Sequence, residues 1–222
     1  MLEDEFVPDS SREAYRPIED IAGVDYKRPM YLCGLYIGLN LFFKEWAVLG
    51  FFGILLSTTL VAFIWWYFKK YFDHMNDQLT AKWIQWLMGA HILFGVVNLF
   101  SYIYSSALSL PTNSGSDIAQ GVGFMAIGIL SSIIVVFLAS FNLIQAGKRH
   151  PFPMKRIAIS TMIFVPLYML ISLMENMPFL KEVAMLFGEE TFKTSFLLNA
   201  ILMLPFFFLL QHFYKADKYD AI

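Results

Sequence analysis

The sequence has a single cysteine, Cys33, and this scarcity limits the chemistry available to the chain. One thiol excludes an internal disulfide framework, a multi-cysteine metal site and an iron–sulfur cluster. The sequence also lacks the HExxH spacing of zinc peptidases and paired aspartates inside an apolar segment. We therefore expect no resident metal and no cofactor, and nothing in the sequence favours enzymatic activity.

Charged residues are scarce as well, at 15% of the chain, whereas soluble globular proteins average roughly 25%. A net charge of −2 is not typical of nucleic-acid binding. Hydrophobic residues make up 58% of the chain and include 23 phenylalanines, 11 tyrosines and five tryptophans. Aromatic side chains suit both lipid-facing surfaces and the membrane–water interface. The composition therefore predicts an integral membrane protein.

Six apolar segments follow an acidic N-terminal region. The last five approach or exceed the ~20 residues that a helix needs to cross a ~30 Å hydrocarbon core, and none alternates as a barrel strand would. We predict an all-α integral membrane protein, a bundle of six transmembrane helices in one domain, residues 29–214. The predicted spans are 30–45, 47–68, 83–106, 118–145, 157–175 and 195–214.

The first span is short. Its 14 apolar residues, 30–43, reach only ~21 Å as a helix. They are apolar nearly all round, whereas an interfacial helix would carry a charged face. We expect this span to form a tight hairpin with the second, turning at Lys44 and Glu45. Five spans, with the N-terminal tail outside, is the alternative.

Basic residues cluster in three regions on one side of the predicted spans. These are Lys69, Lys70 and Lys82 in one loop, Lys148, Arg149, Lys155 and Arg156 in another, and Lys215 and Lys218 after the last span. The positive-inside rule places these regions in the cytoplasm. Six spans then make both ends cytoplasmic: a loosely ordered acidic tail, residues 1–28, and a short tail, 215–222. We expect the protein to lie in the bacterial inner membrane. The four cations of the second loop are candidates for binding anionic lipid headgroups or an acidic partner.

The third span carries polar side chains within an apolar run. A rotation of 100° per residue places His91, Asn98, Tyr102 and Ser105 on one stripe, together with Gly95. This stripe is expected to be buried against protein or water, because exposing imidazole and amide groups to lipid is unfavourable. The side chains either form hydrogen bonds between helices, each worth about 1 kcal/mol or less, or line a binding site or pathway.

The fourth span has small or polar residues at intervals of seven and four. They are Gly121, Gly128, Ser132, Ala139 and Asn142. Such spacing lets another backbone approach closely and predicts a helix-packing interface, either inside the chain or with a partner.

These features favour a non-catalytic structural or accessory subunit, or an assembly factor, of a larger membrane complex. Short loops leave no room for an independent soluble activity, and no acidic or basic side chain in mid-span is available to couple ion movement. The expected partners are the lipid bilayer and other membrane subunits. One alternative is a small transporter or channel with a pathway along His91, Asn98 and Tyr102. A second is a cofactor-binding subunit with His91 as ligand.

Overall fold

The computed structural model describes residues 26–42, 46–108, 115–146, 154–176 and 200–219. Side-chain surroundings are described for 26–41, 51–104, 123–146, 154–170, 200–215 and 217. Regular structure in these ranges is helical, without strands, as the composition predicts. The helices are α1 Lys27–Phe42, α2 Trp46–His74, α3 Gln78–Leu108, α4 Gly115–Ala146, α5 Met154–Asn176 and α6 Leu204–Tyr219. The predicted acidic tail and the predicted turn at residues 44 and 45 lie outside the described residues.

Within the residues that the structure describes, three helices are long and apolar enough to cross a membrane. These segments are Phe51–His74 in α2, Gln78–Tyr104 in α3 and Gly123–Ala146 in α4. Only 33% of the residues in the most apolar window of each segment are buried inside the molecule. Most of their apolar surface is therefore left to lipid or to other proteins, which agrees with an integral membrane protein.

The helices pack in the order of the chain. Each described helix contacts the next one, α1 also contacts α6, and α3 also contacts α5. Large side chains without exposed surface fill the spaces between them, among them Trp65, Phe68, Leu87 and Leu143. Between helices in lipid, close van der Waals packing provides the attraction, because lipid tails are as apolar as the side chains.

The turn between α2 and α3 is specified by its own residues. Asn76 has a φ of 56°, and the amides of Asn76 and Asp77 donate hydrogen bonds to the carbonyls of Asp73 (3.2 Å) and Phe72 (3.0 Å). This is the Schellman pattern that ends a helix. Asp77 then caps α3, because its carboxylate accepts hydrogen bonds from the Thr80 amide at 3.0 Å and the Thr80 hydroxyl at 2.6 Å.

The predicted loop carrying Lys69, Lys70 and Lys82 is therefore wrong. The connection is only residues 75–77, and the three lysines lie on α2 and α3. Capping, rather than the end of the apolar run, determines where these helices end. The helices α2 and α3 accordingly extend beyond the predicted spans 47–68 and 83–106 at this end of the molecule.

The last predicted span, 195–214, also differs from the helix. Residues 200–202 are helical, Met203 is a turn, and α6 begins at Leu204 and continues to Tyr219, through most of the predicted tail. Pro205 explains the break, since it has no amide proton to donate to a preceding turn. The Phe206 and Phe207 amides both donate to the Met203 carbonyl, at 3.0 and 3.1 Å, and start the new helix.

Ring contacts fix the relative directions of three helices. Tyr26, directly before α1, packs on Tyr71 near the end of α2, with ring centroids 6.2 Å apart. On α6, Phe206 contacts Trp65 and His212 contacts Tyr71. The start of α1 thus lies at the same end of the molecule as the ends of α2 and α6.

Candidate functional site

The polar stripe of α3 faces α2 at two positions. The His91 ring packs against Trp65, with centroids 5.7 Å apart and planes inclined by 42°. One turn later, a Cβ atom on Gly95 would overlap the side chain of Thr58 on α2. The glycine therefore allows the two helices to approach closely. At this level the stripe faces a neighbouring helix.

His91 has one of its two ring nitrogens paired within its own helix. The Nδ1 atom lies 2.9 Å from the carbonyl oxygen of Leu87, four residues earlier. A carbonyl oxygen can only accept a hydrogen bond, so Nδ1 carries the ring proton. In the neutral imidazole, Nε2 then has a lone pair and acts as an acceptor.

The remaining stripe residues are less enclosed. Asn98 is half-buried. Tyr102 is 39% exposed, so the expectation of a buried stripe is wrong at this position. The neighbouring residues Val97 and Ser101 are buried instead, and Val97 lies against Gly128 of α4. The side chain of Ser105 lies outside the described surroundings.

His91 belongs to a group of rings from four helices. Phe206 of α6 contacts both Tyr36 of α1, at 4.5 Å between centroids, and Trp65 of α2, at 6.3 Å. We call Tyr36, Trp65, His91 and Phe206 the central aromatic cluster. The Tyr36 hydroxyl is hydrogen-bonded to the side chain of Ser57. Sequence reasoning finds only His91 here, because the other three rings come from distant parts of the chain.

A second cluster lies nearer the ends of α2 and α6. The His212 ring packs edge to face on Phe68 and Tyr71, with centroids 5.4 and 4.8 Å away and planes inclined by 84° and 88°. Phe213 also contacts Phe68, at 6.1 Å. We call Phe68, Tyr71, His212 and Phe213 the basal aromatic cluster. The spacing of Trp65, Phe68 and Phe72 on one face of α2 is the sequence signal for this packing.

The two interior histidines do not share a site. His91 contacts Trp65, His212 contacts Phe68, and the Trp65 and Phe68 rings contact each other at 6.1 Å between them. A bis-histidine ligand set is therefore not formed. Over the described ranges, no three His, Cys, Asp or Glu side chains come together as a group able to hold a metal ion.

No family model, curated protein or solved structure matches this chain.

The small-residue row of α4 packs inside the chain. A Cβ atom on Gly128 would lie 2.6 Å from Cγ2 of Val97 on α3. Ser132 and Ala139 are fully buried, and the Ser132 hydroxyl donates to the Gly128 carbonyl at 2.9 Å. Asn142, at the edge of the row, donates to the Leu138 carbonyl at 2.7 Å. Gly128, Ser132 and Ala139 are thus enclosed by the bundle, whereas Asn142 lies at its edge; the surroundings of Gly121 are not described.

The predicted cationic loop is described only in part. Lys155 and Arg156 are exposed in the first turn of α5, whereas Lys148 and Arg149 lie outside the described residues. The basic side chains near the end of α2 have local partners. Lys69 pairs with Asp73 at 2.6 Å, and the Lys70 ammonium lies 4.6 Å from the centroid of the Trp66 ring.

Proposed function

We propose that this chain is an integral protein of the bacterial inner membrane with six transmembrane helices and both ends in the cytoplasm. The support is the position of the basic residues. Tyr26 on Tyr71 brings the start of α1, with Lys27 and Arg28, to the end of the molecule that carries Lys70. Cations from several helices at one end are what the positive-inside rule requires.

The length of α1 is sufficient for this topology. Its 16 residues extend ~24 Å, and exposed Lys27 and Arg28 can reach the headgroup region at its start. Cysteine labelling tests the orientation after Cys33, which is buried, has been replaced by serine. Single cysteines at Ser10 and at Lys218 should react with a membrane-impermeant maleimide only in inverted vesicles. Labelling of the Ser10 position in intact spheroplasts would support five spans.

Within that membrane, the function we propose is that of a non-catalytic structural subunit or assembly factor of a larger complex. The observation that supports this proposal is that large side chains fill the space between the helices. Trp65, Phe68 and Phe213 occupy the space between α2 and α6, and each is at most 1% exposed. Meanwhile, large apolar side chains such as Phe52, at 72%, and Ile127, at 67%, project outward for lipid or partner subunits.

Purification tests this function. The full chain, extracted in a mild detergent, should co-purify with another membrane protein in a fixed ratio. A photo-crosslinking residue placed at Phe52, Ile127 or Ile163 should capture that protein from at least one face, whereas the same residue at buried Val136 should not. A monomer that forms no crosslink and moves a solute across liposomes would contradict the proposal.

The two alternatives make different predictions. A pathway along His91, Asn98 and Tyr102 predicts that His91→Ala or Asn98→Ala abolishes flux at unchanged expression, but the exposure of Tyr102 argues against a continuous enclosed path. A cofactor subunit is favoured only by the lone pair on the His91 Nε2 atom. It predicts visible absorbance in the purified protein that His91→Ala removes.

The exposed Lys155 and Arg156 are proposed contacts for anionic lipid headgroups, each worth about 1 kcal/mol near the membrane surface. Native mass spectrometry should detect retained anionic lipid, and a Lys155→Gln, Arg156→Gln variant should retain less. An acidic protein partner would instead be lost from the co-purified complex in this variant while lipid retention stays the same.

A further inference from the structure

The described helices bring their cations to one end of the molecule, which we call the basal end. Tyr26, directly before α1, contacts Tyr71 near the end of α2, and Tyr71 contacts His212 on α6, with ring centroids 6.2 and 4.8 Å apart. Residues 75–77 connect α2 to α3, so α3 begins at the same end. The starts of α1 and α3 and the ends of α2 and α6 therefore lie together.

The helix α4 also ends at the basal end. Phe100 of α3 contacts Phe124 of α4, with ring centroids 6.1 Å apart, whereas Val97, earlier on α3, lies against Gly128, later on α4. The two helices are therefore antiparallel. Since α3 leads away from the basal end, α4 returns to it.

The start of α5 is level with the start of α3. Its Tyr168 ring contacts Phe94 of α3 at 6.0 Å between centroids, and these residues lie ~21 and ~24 Å after the starts of their helices. If α5 ran in the opposite direction, its start would lie ~45 Å from the basal end. The connection from the end of α4 to the start of α5 spans at most ~28 Å. α5 therefore runs parallel to α3 and begins at the basal end.

The described part of the basal end is strongly cationic. Its described carboxylates are those of Asp73, Asp77 and Asp217, and two of them have local roles. Asp73 pairs with Lys69 at 2.6 Å, and Asp77 caps α3. Seven further cations at this end are exposed: Lys27, Arg28, Lys70, Lys82, Lys155, Arg156 and Lys215. Positive charge exceeds negative charge on this surface, which favours an anionic ligand.

An acidic segment of the same chain joins this surface. Residues 1–25 contain eight acidic side chains and two arginines, and they lead directly into Tyr26, which is 2% exposed. The contact of Tyr26 with Tyr71 therefore fixes the point where the segment meets the basal end. An extended chain of 25 residues reaches up to ~80–90 Å, whereas packed helix axes are ~8–10 Å apart. The segment is thus long enough to reach every helix of the bundle.

We propose that residues 1–25 bind to the basal end of their own chain, with their carboxylates beside its exposed cations. A single exposed ion pair is weak. Covalent attachment, however, holds the acidic side chains at a high effective concentration, so several weak pairs form together. The inference does not depend on the proposed function, because the contact of Tyr26 with Tyr71 fixes the entry point of the segment whichever partner the protein has.

Electron paramagnetic resonance distances in the full chain test this interaction. Spin labels on cysteines that replace Ser10 in the segment and Gln78, exposed at the start of α3, report their separation after Cys33 has been replaced by serine. The chain is held in neutral phosphatidylcholine nanodiscs and diluted with unlabelled chain. We expect a short, narrow distance distribution at low salt. It should lengthen and broaden in about 1 M salt, where the Debye length falls to ~3 Å.

Neutralising the segment should have the same effect as salt. Glu19→Gln combined with Asp20→Asn should lengthen the distance measured at low salt. The matched control is Glu189→Gln with Glu190→Gln, which removes the same charge from an adjacent acidic pair elsewhere in the chain and should leave the distance unchanged. A distance that responds neither to salt nor to the segment variant would overturn the proposal. The salt series needs no charge variant.

Zero-length crosslinking identifies the surface and the copy that the segment binds. A carbodiimide joins a carboxylate to a lysine amine only when the two are in contact. Mass spectrometry should therefore find residues 1–25 joined to basal lysines such as Lys82, Lys155 and Lys215, with a several-fold lower yield at high salt. In an equal mixture of ¹⁴N- and ¹⁵N-labelled chains, these crosslinks should join residues of the same isotope.

Two results of this crosslinking would contradict the proposal. Crosslinks between the two isotopes would assign the surface to a second copy of the chain. An absence of salt-sensitive crosslinks in neutral nanodiscs, where no anionic headgroup competes for the cations, would show that the segment does not bind there and would leave lipid headgroups as the ligand of this surface.

Discussion

Replacing Gly95 with alanine should separate α2 from α3. A Cβ atom at this position would overlap Oγ1 and Cγ2 of Thr58, and it would lie 2.8 Å from the Thr58 Cβ atom. The Cβ of Thr58 cannot move away without its backbone. Overpacking of this kind typically destabilises by about 1–3 kcal/mol. Against this stands a gain of about 0.5–1 kcal/mol from the better helix propensity of alanine.

Subtracting the gain from the cost leaves a net loss of up to about 2.5 kcal/mol. For a chain of this length it corresponds to a fall in Tm of up to roughly 10 °C. Thermal unfolding in a mild detergent, followed by circular dichroism, measures it. Gly89 is the matched control on the same helix, because a Cβ there meets nothing within 4 Å. Gly89→Ala should leave Tm unchanged or raise it by a few degrees.

A second substitution tests whether Thr58 is the cause. Thr58→Ala removes the two atoms that would overlap most, so it should restore part of the stability of Gly95→Ala. The double-mutant cycle should therefore give a favourable coupling between these positions. The reasoning is refuted if Gly95→Ala and Gly89→Ala have the same Tm. It is also refuted if the effects of Gly95→Ala and Thr58→Ala on the free energy of unfolding simply add.

Three further predictions use the same Tm measurement. Gly128→Ala should lower Tm, because its Cβ atom would lie 2.6 Å from a methyl group of Val97 on α3. Gly123→Ala is the control and should not lower Tm, because a Cβ atom there has nothing within 4 Å. Equal Tm values for the two variants would contradict this packing. Asp77→Ala should destabilise the fold by about 1 kcal/mol, because it removes the cap on α3. Asn76→Gly should be neutral or stabilising, because glycine adopts a φ of 56° without steric cost. His212→Phe should preserve or raise Tm, because the ring packs among aromatics and its buried Nε2 has no hydrogen-bond partner; a marked fall would reveal a polar role.

The helical class and the position of the apolar segments can be predicted because they depend on local composition. A run of about 20 apolar residues meets the requirement for crossing lipid wherever its neighbours lie. The ends of helices are less predictable, since they depend on capping. The extension of α2 beyond residue 68 rests on the backbone hydrogen bonds around Asn76, and the start of α3 rests on the carboxylate of Asp77.

The candidate site was only partly predictable, for a different reason. His91 stands out because a histidine inside an apolar run must be accommodated. Its neighbours Trp65 and Phe206 do not stand out, because aromatic residues are common throughout the chain and their meeting is a consequence of tertiary packing. The small residues of α4 likewise predict close packing, but not that Val97 is the neighbour.

The α3 stripe illustrates how one sequence pattern serves different contacts. Its residues share a helix face but have different surroundings. Gly95 packs against Thr58, the His91 ring packs against Trp65, and Tyr102 is exposed. A continuous pathway would need either one neighbouring helix or a continuous file of water beside every polar residue of this face. Instead, Gly95 lies against Thr58 of α2, whereas Val97, two residues later and on another face of α3, lies against Gly128 of α4. The polar side chains of the stripe therefore have separate surroundings and do not form one continuous site.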